Sequence, residues 1–96
     1  MLLEKPLTQE EDNMSRILKL QSSEIALTTA NTVSEAKLVR IYNDQSSPVL
    51  ITHSDTSGTV GTFTIASKGI EIVEKDYTDN LAANAEVLAV GIGFRV

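Results

Sequence analysis

The chain has 96 residues and a net charge of −5, with eight Lys and Arg against thirteen Asp and Glu. That length holds one domain with a modest core, and scattered cations on an acidic chain exclude general nucleic-acid binding and disfavour an anionic membrane as partner. The absence of Cys excludes disulfides and thiolate metal sites.

Residues 1–15, "MLLEKPLTQEEDNMS", carry Glu4, Glu10, Glu11 and Asp12 against Lys5 alone, and show no period-2 alternation. They read as an N-terminal arm outside the main fold. "TQEE" at 8–11 fits a capping box behind Pro6, so the arm carries at most a short helix of about two turns, marginal alone. Two readings stay open: a frayed terminus, or an arm that orders against a partner through Leu2, Leu3 and Leu7. The opening residues lack the basic and apolar regions of a signal peptide. No apolar run approaches the roughly 18 residues of a membrane span.

From Arg16 the pattern turns to short β runs. "RILKLQS" alternates, and "EIAL" continues or re-enters the same edge. "TTANTVSEA" is a polar connection; its "TVSE" matches a capping box but no helical period follows. "KLVRIYN", "PVLITHS", "VGTFTIA", "GIEIVEK", "NLAA" and "EVLAVGIGFRV" complete about seven short strands. The spacing predicts an all-β fold over 16–96, a small antiparallel β-sandwich or a partly closed barrel. With only four aromatics (Tyr42, Phe63, Tyr77 and Phe94), the core must rest on Val, Ile, Leu and Ala. Such a core would gain from burial against neighbouring subunits.

Register gives three expectations. A loop over "ASKG" sets Ile65 opposite Ile70 and Phe63 opposite Ile72, with Gly69 supplying a positive φ. A turn over "NDQSS", with Pro48 at the strand start, pairs Ile41 with Val49 and Val39 with Ile51 and buries all four. Leu38, Arg40 and Tyr42 then share a mixed face, partly exposed or meeting a partner. In the last strand Leu88, Val90, Ile92, Phe94 and Val96 read as core. The small set Val87, Ala89, Gly91, Gly93 and Arg95 marks a bulge or the close approach of another backbone.

No motif points to catalysis. His53 in "HSDTSG" stands beside Ser54, Asp55 and Ser57, but triad members converge from separate elements. It reads as a solvated strand end. Asp76 and Asp79 in "DYTDN" are the best carboxylate pair; a calcium loop needs more of them at regular spacing, so a turn is expected there. "TSGTVGT" lacks the Lys-Ser/Thr ending of a phosphate loop. The sequon Asn13-Met14-Ser15 matters only on a secretory route. No catalytic, metal or cofactor site is expected.

The stretches "SSEIALTTANTVSEAKLVRIYND" and "VGTFTIASKGIEIVEKDYTDNLAA", followed by a terminal apolar strand, resemble small structural proteins of tailed-bacteriophage virions. The likeness rests on the Thr/Asn-rich loop, a "VRIxN" strand, Gly69 in a turn, Glu74-Lys75 ending the next strand, and Asp79. It covers most of the chain but not residues 1–15. A Pro common before the turn glycine is Ser67 or Lys68 here. The resemblance implies a non-enzymatic β-sandwich made in the host cytoplasm and built into the virion. Its first role would be capsid decoration or cementing, with a neck, tail or fibre component as the alternative. Its partners would be itself, as a homo-oligomer, and other virion proteins such as the major capsid protein. A carbohydrate-binding sandwich is a further alternative, weakened by the lack of Trp. The residues assigned to partner contact are Leu2, Leu3, Leu7, Arg40 and Tyr42.

Overall fold

Alternating β-branched and aliphatic residues give strands wherever they occur between 17 and 94, the residues that the computed structural model describes. The eight strands are β1 (Leu18–Leu20), β2 (Ile25–Leu27), β3 (Leu38–Tyr42), β4 (Val49–Asp55), β5 (Gly58–Ile65), β6 (Ile70–Glu74), β7 (Asn80–Ala83) and β8 (Val87–Phe94). The described residues contain no helix, so none long enough to cross a membrane. Residues 1–15, with the expected short helix and Leu2, Leu3 and Leu7, lie outside the described residues.

The strands form two antiparallel sheets, a β-sandwich. One runs β1-β8-β3-β6, with β2 also on β8; the other runs β5-β4-β7. The eighth strand arises because the first edge is broken. Leu18 to Leu20 pair with Phe94 to Ile92, and Ile25 to Leu27 pair with Ala89 to Val87. Between them the chain lifts off the ladder at Gly91, whose N–H donates to Ser22 Oγ at 3.1 Å and whose carbonyl accepts from Gln21 N at 2.9 Å. "EIAL" therefore re-enters the same edge, as the sequence suggested. Beyond β2 the chain crosses to the other sheet, where Asn31 bridges Leu81.

Between the sheets lie Leu27, Val33, Val39, Ile41, Val49, Ile51, Ile65, Leu81, Val87 and Ala89. Val39, Ile41, Val49 and Ile51 are buried together as expected, but they meet across the sandwich. β3 pairs with β6 and β8, and β4 pairs with β5 and β7. The "ASKG" hairpin is corrected in the same way: β5 and β6 sit in different sheets. Both short loops are crossovers. A periodic pattern reports which side chains share a core, but not whether they share a ladder.

Asn43 fixes these crossovers and is fully buried. Its side-chain amide donates to the carbonyls of Ser47 (3.0 Å), Ile65 (2.9 Å) and Ala66 (3.2 Å), and its Oδ1 accepts from Gln45 N (2.9 Å). Its backbone N–H donates to Gly69 O at 2.9 Å, and its carbonyl accepts from Lys68 N at 2.7 Å. The positive φ in that turn belongs to Lys68, at 64°, and not to Gly69. Gly69 is required for space: a Cβ there would stand 2.9 Å from Ala66 O.

The last strand is buried on both faces. Val87, Ala89 and Gly91 face the other sheet, where the larger set was expected; Leu88, Val90 and Ile92 lie on the other face, with Val90 and Ile92 buried as expected, each 4% exposed. The residues after β2 explain why the small set faces the other sheet. Val33, Ser34 and Glu35 form a left-handed turn, with φ of 54°, 59° and 57°. Asn31 Oδ1 accepts from Val33 N at 2.7 Å, and Thr32 Oγ1 accepts from Glu35 N at 3.2 Å. The turn drops Val33 into the core, 1% exposed, and sets Ala36 over Gly91, so only small residues fit beneath. Left-handed backbone is costly for residues with a Cβ, by about 1 kcal/mol each. Ser34 is exposed and its side chain forms no hydrogen bond with a described residue. Ser34→Gly is therefore expected to raise stability by about 0.5–1 kcal/mol in urea unfolding. A loss of stability would mean that the turn is not left-handed in solution.

Candidate functional site

The two assigned partner residues among those described, Arg40 and Tyr42, share the outer face of the five-stranded sheet. Both are half-buried on β3. Register surrounds them with apolar neighbours. Arg40 lies between Ile72 on β6 and Val90 on β8; Tyr42 lies between Ile70 and Leu88. Leu18 and Leu20 extend the same face on β1, opposite Phe94 and Ile92. Leu20 is 66% exposed, Ile70 48% and Ile72 43%. Beside Arg40 the face dips into a groove of about 390 Å³, with Val90 among its lining residues and Leu18, Leu20, Ser23 and Glu24 around it. The alternation in β8 carried the signal for this face: both of its side-chain sets are apolar, so whichever set meets the other sheet leaves an apolar set here, of which Val90 and Ile92 are themselves buried.

β6, an edge strand of this sheet, turns Glu71 inward opposite Ile41, and Glu71 remains exposed. An inward-pointing charge on an edge strand discourages edge-to-edge pairing.

A second cluster joins elements that the sequence kept apart. His53 lies in the middle of β4 and is only 18% exposed, not at a solvated strand end. Its Nε2–H donates to Asp79 Oδ2 at 2.8 Å, since an ionised carboxylate can only accept. The same Oδ2 accepts from Asp76 N at 3.3 Å, and Asp79 N donates to Asp76 O at 3.0 Å, closing the turn expected in "DYTDN". Lys75 directly follows β6 with 5% exposure, and its Nζ donates to Asp76 O at 3.2 Å. These groups tie the crossover from β6 to β7 onto β4. Spacing could not reveal the pair, because 26 residues separate His53 from Asp79. No group of three His, Cys, Asp or Glu among the described residues is placed to hold a metal ion.

Burial pushes the Lys75 ammonium below its ordinary pKa, against the opposing pull of Asp79, Asp76 and Glu35. The unfolded chain then holds the Lys75 proton more tightly than the folded chain. This contribution destabilises fully below the folded pKa and fades as pH rises toward 10.5. Lys75→Met is expected to be at least as stable as the parent at pH 7, with the difference shrinking as pH rises through the lowered folded pKa toward 10.5. Urea midpoints across that range check this; a difference that widens with pH would contradict it.

Comparison with known proteins adds no relative: no family model, curated protein or solved structure matches this chain.

Proposed function

We propose that this chain is a non-enzymatic structural protein of a tailed-phage virion, a capsid decoration or cement protein. It would bind copies of itself and the major capsid protein through contacts repeated over the particle. The observation that supports this best is the outer face of the five-stranded sheet. There an Arg and a Tyr sit among exposed aliphatic side chains, the composition of interface centres. A β-sandwich is also the architecture implied by the resemblance of "VRIYN" and of the segment from "VGTF" to "NLAA". Each contact would be small, and multivalency over a lattice would supply retention.

The test is co-sedimentation of the full chain with shells of the cognate major capsid protein, alongside Arg40→Glu. Saturable binding at a fixed ratio to capsid subunits, lost in the variant, is the expected result. Binding to tail tubes but not shells would move the protein to the neck or tail. Binding to neither would overturn the virion reading.

A further inference from the structure

Resting on the assembly role above and deepening it, we propose that the free edge of β5 takes up an extended, basic segment of the shell protein as an added strand. The other sheet edges are covered, short or guarded among the described residues. Segment 28–31 covers β7: Ala83 N donates to Thr28 O at 2.8 Å, and Asn31 and Leu81 exchange hydrogen bonds of 3.0 and 2.9 Å. β1 and β2 are three residues each, and β6 turns Glu71 inward. β5 runs for eight residues, is exposed from Gly58 to Thr62, and holds no charged residue and no Pro. No described strand lies on its outer side. Exposed edges of this kind take up added strands through main-chain hydrogen bonds.

The hydrogen bonds of β4 show which groups on that edge are free. Leu50 N donates to Asn84 Oδ1 at 3.0 Å, and Leu50 O accepts from Asn84 N at 3.1 Å, on the β7 side of β4. Alternation then turns Ile51 toward β5 and its partner Phe63 toward β4. The N–H and C=O groups of Thr62 and Thr64 are left pointing outward. A register shift opposite His53 and Ser54 bends β5 before Gly61, so the straight free stretch is 61–65. No described atom lies within 4 Å of a Cβ added at Gly61, which leaves room beside Phe63 for an incoming side chain.

Charge selects the occupant. Glu71 pairs with Ile41, which is fully buried between the sheets, yet Glu71 itself is exposed. No residue of the other sheet covers it. β5 and β6 are consecutive and flank one cleft at Val60 and Glu74, so a strand added to β5 lies beneath Glu71. At the Val60 end of the cleft Asp55, Glu74, Asp76 and Asp79 outnumber Lys37 and Lys75. Lys68, at the other end, is turned to Asp44 O at 2.7 Å. A second copy would bring its own Glu71 to the same place, and like charges oppose that pairing. An extended segment with a Lys or Arg opposite Glu71 satisfies both the edge and the carboxylate.

Hydrogen exchange and peptide titration of the full chain test this. The Thr62 and Thr64 amides of the free protein are expected to exchange as fast as exposed loop amides. Protection there would overturn the proposal, because the edge would already be occupied. The probes are two short alternating Thr/Val peptides, one with a central Lys and one with a central Glu. The Lys peptide is expected to shift the Thr62 and Thr64 amide resonances and to bind at least tenfold more tightly than the Glu peptide, with the order reversed in Glu71→Lys. Equal binding of the two peptides, shifts confined to the outer face of the other sheet, or no shift at millimolar peptide would overturn it. Thr64→Pro removes an outward N–H that the described fold does not use. Its unfolding midpoint should stay while shell binding falls at least tenfold. Unchanged shell binding overturns the edge assignment alone. Absent shell binding by the parent, with the Lys peptide still seated at Thr62 and Thr64, overturns the virion reading alone.

Discussion

Replacing Asn43 by alanine is expected to destabilise the protein by about 3 kcal/mol, the largest loss for any single polar side chain among the described residues. The amide serves the carbonyls of Ser47, Ile65 and Ala66 at once, with Oδ1 holding Gln45 N, and the residue has no exposed surface. Truncation leaves the Ile65 carbonyl, which meets the amide in a buried contact, without that donor. A group left unsatisfied in this way loses about 1–3 kcal/mol. Asn43→Asp keeps the acceptor toward Gln45 but turns a carboxylate toward three carbonyl oxygens, so it should be worse than alanine. Against a total of about 5–15 kcal/mol for an ordinary domain, a loss of 3 lowers the melting temperature by roughly 15 °C. Calorimetry of the parent and both variants checks the order. If Asn43→Ala melted within about 2 °C of the parent, the crossovers would not depend on this amide.

The second large effect is expected at Gly91. A Cβ there would lie 2.8 Å from the Ala36 Cβ and 3.2 Å from Ser22 Oγ. Ala36 has no flexible end to move aside, and its position follows from the left-handed turn at Val33, Ser34 and Glu35. Gly91→Val must shift that turn or lift β1 and β2 from β8, at about 3 kcal/mol. Gly61 is the internal control. It lies in a strand too, but nothing stands within 4 Å of its added Cβ. Gly61→Val should be neutral within about 0.5 kcal/mol or slightly stabilising. Equal urea midpoints for the two variants would remove the steric account of Gly91.

These two positions also mark where the sequence was and was not legible. Strand positions, the all-β class and the shared burial of Val39, Ile41, Val49 and Ile51 follow from period-2 patterning, because a side chain's face is a local property. Strand pairing is not local. "NDQSS" and "ASKG" are short enough for hairpins, and consecutive strands usually pair. Here Asn43 pins both segments as crossovers between sheets, and only the folded arrangement shows which carbonyls its amide reaches. Val90 and Ile92 are buried as expected, but which face of β8 meets the other sheet was misread for a related reason. Both of its side-chain sets are apolar, and the small set wins the core because the turn carrying Val33 and Ala36 needs the space above Gly91. The turn itself was hidden, since left-handed Val, Ser and Glu have no sequence signature of the kind that Gly provides. Of the candidate contact residues, Arg40 and Tyr42 share one face as expected from their spacing. The apolar surround from β6 and β8 required knowledge of which strands flank β3.

The central claim, that the outer sheet face mediates assembly, is tested most directly by the solution mass of the full chain and of its Ile72→Glu variant. Light scattering behind size exclusion gives both masses. Ile72 is 43% exposed and faces away from the core, so the variant should fold with an unchanged unfolding midpoint. The account predicts a discrete oligomer for the parent and a 10.4 kDa monomer for the variant. Equal masses for the two chains would contradict it.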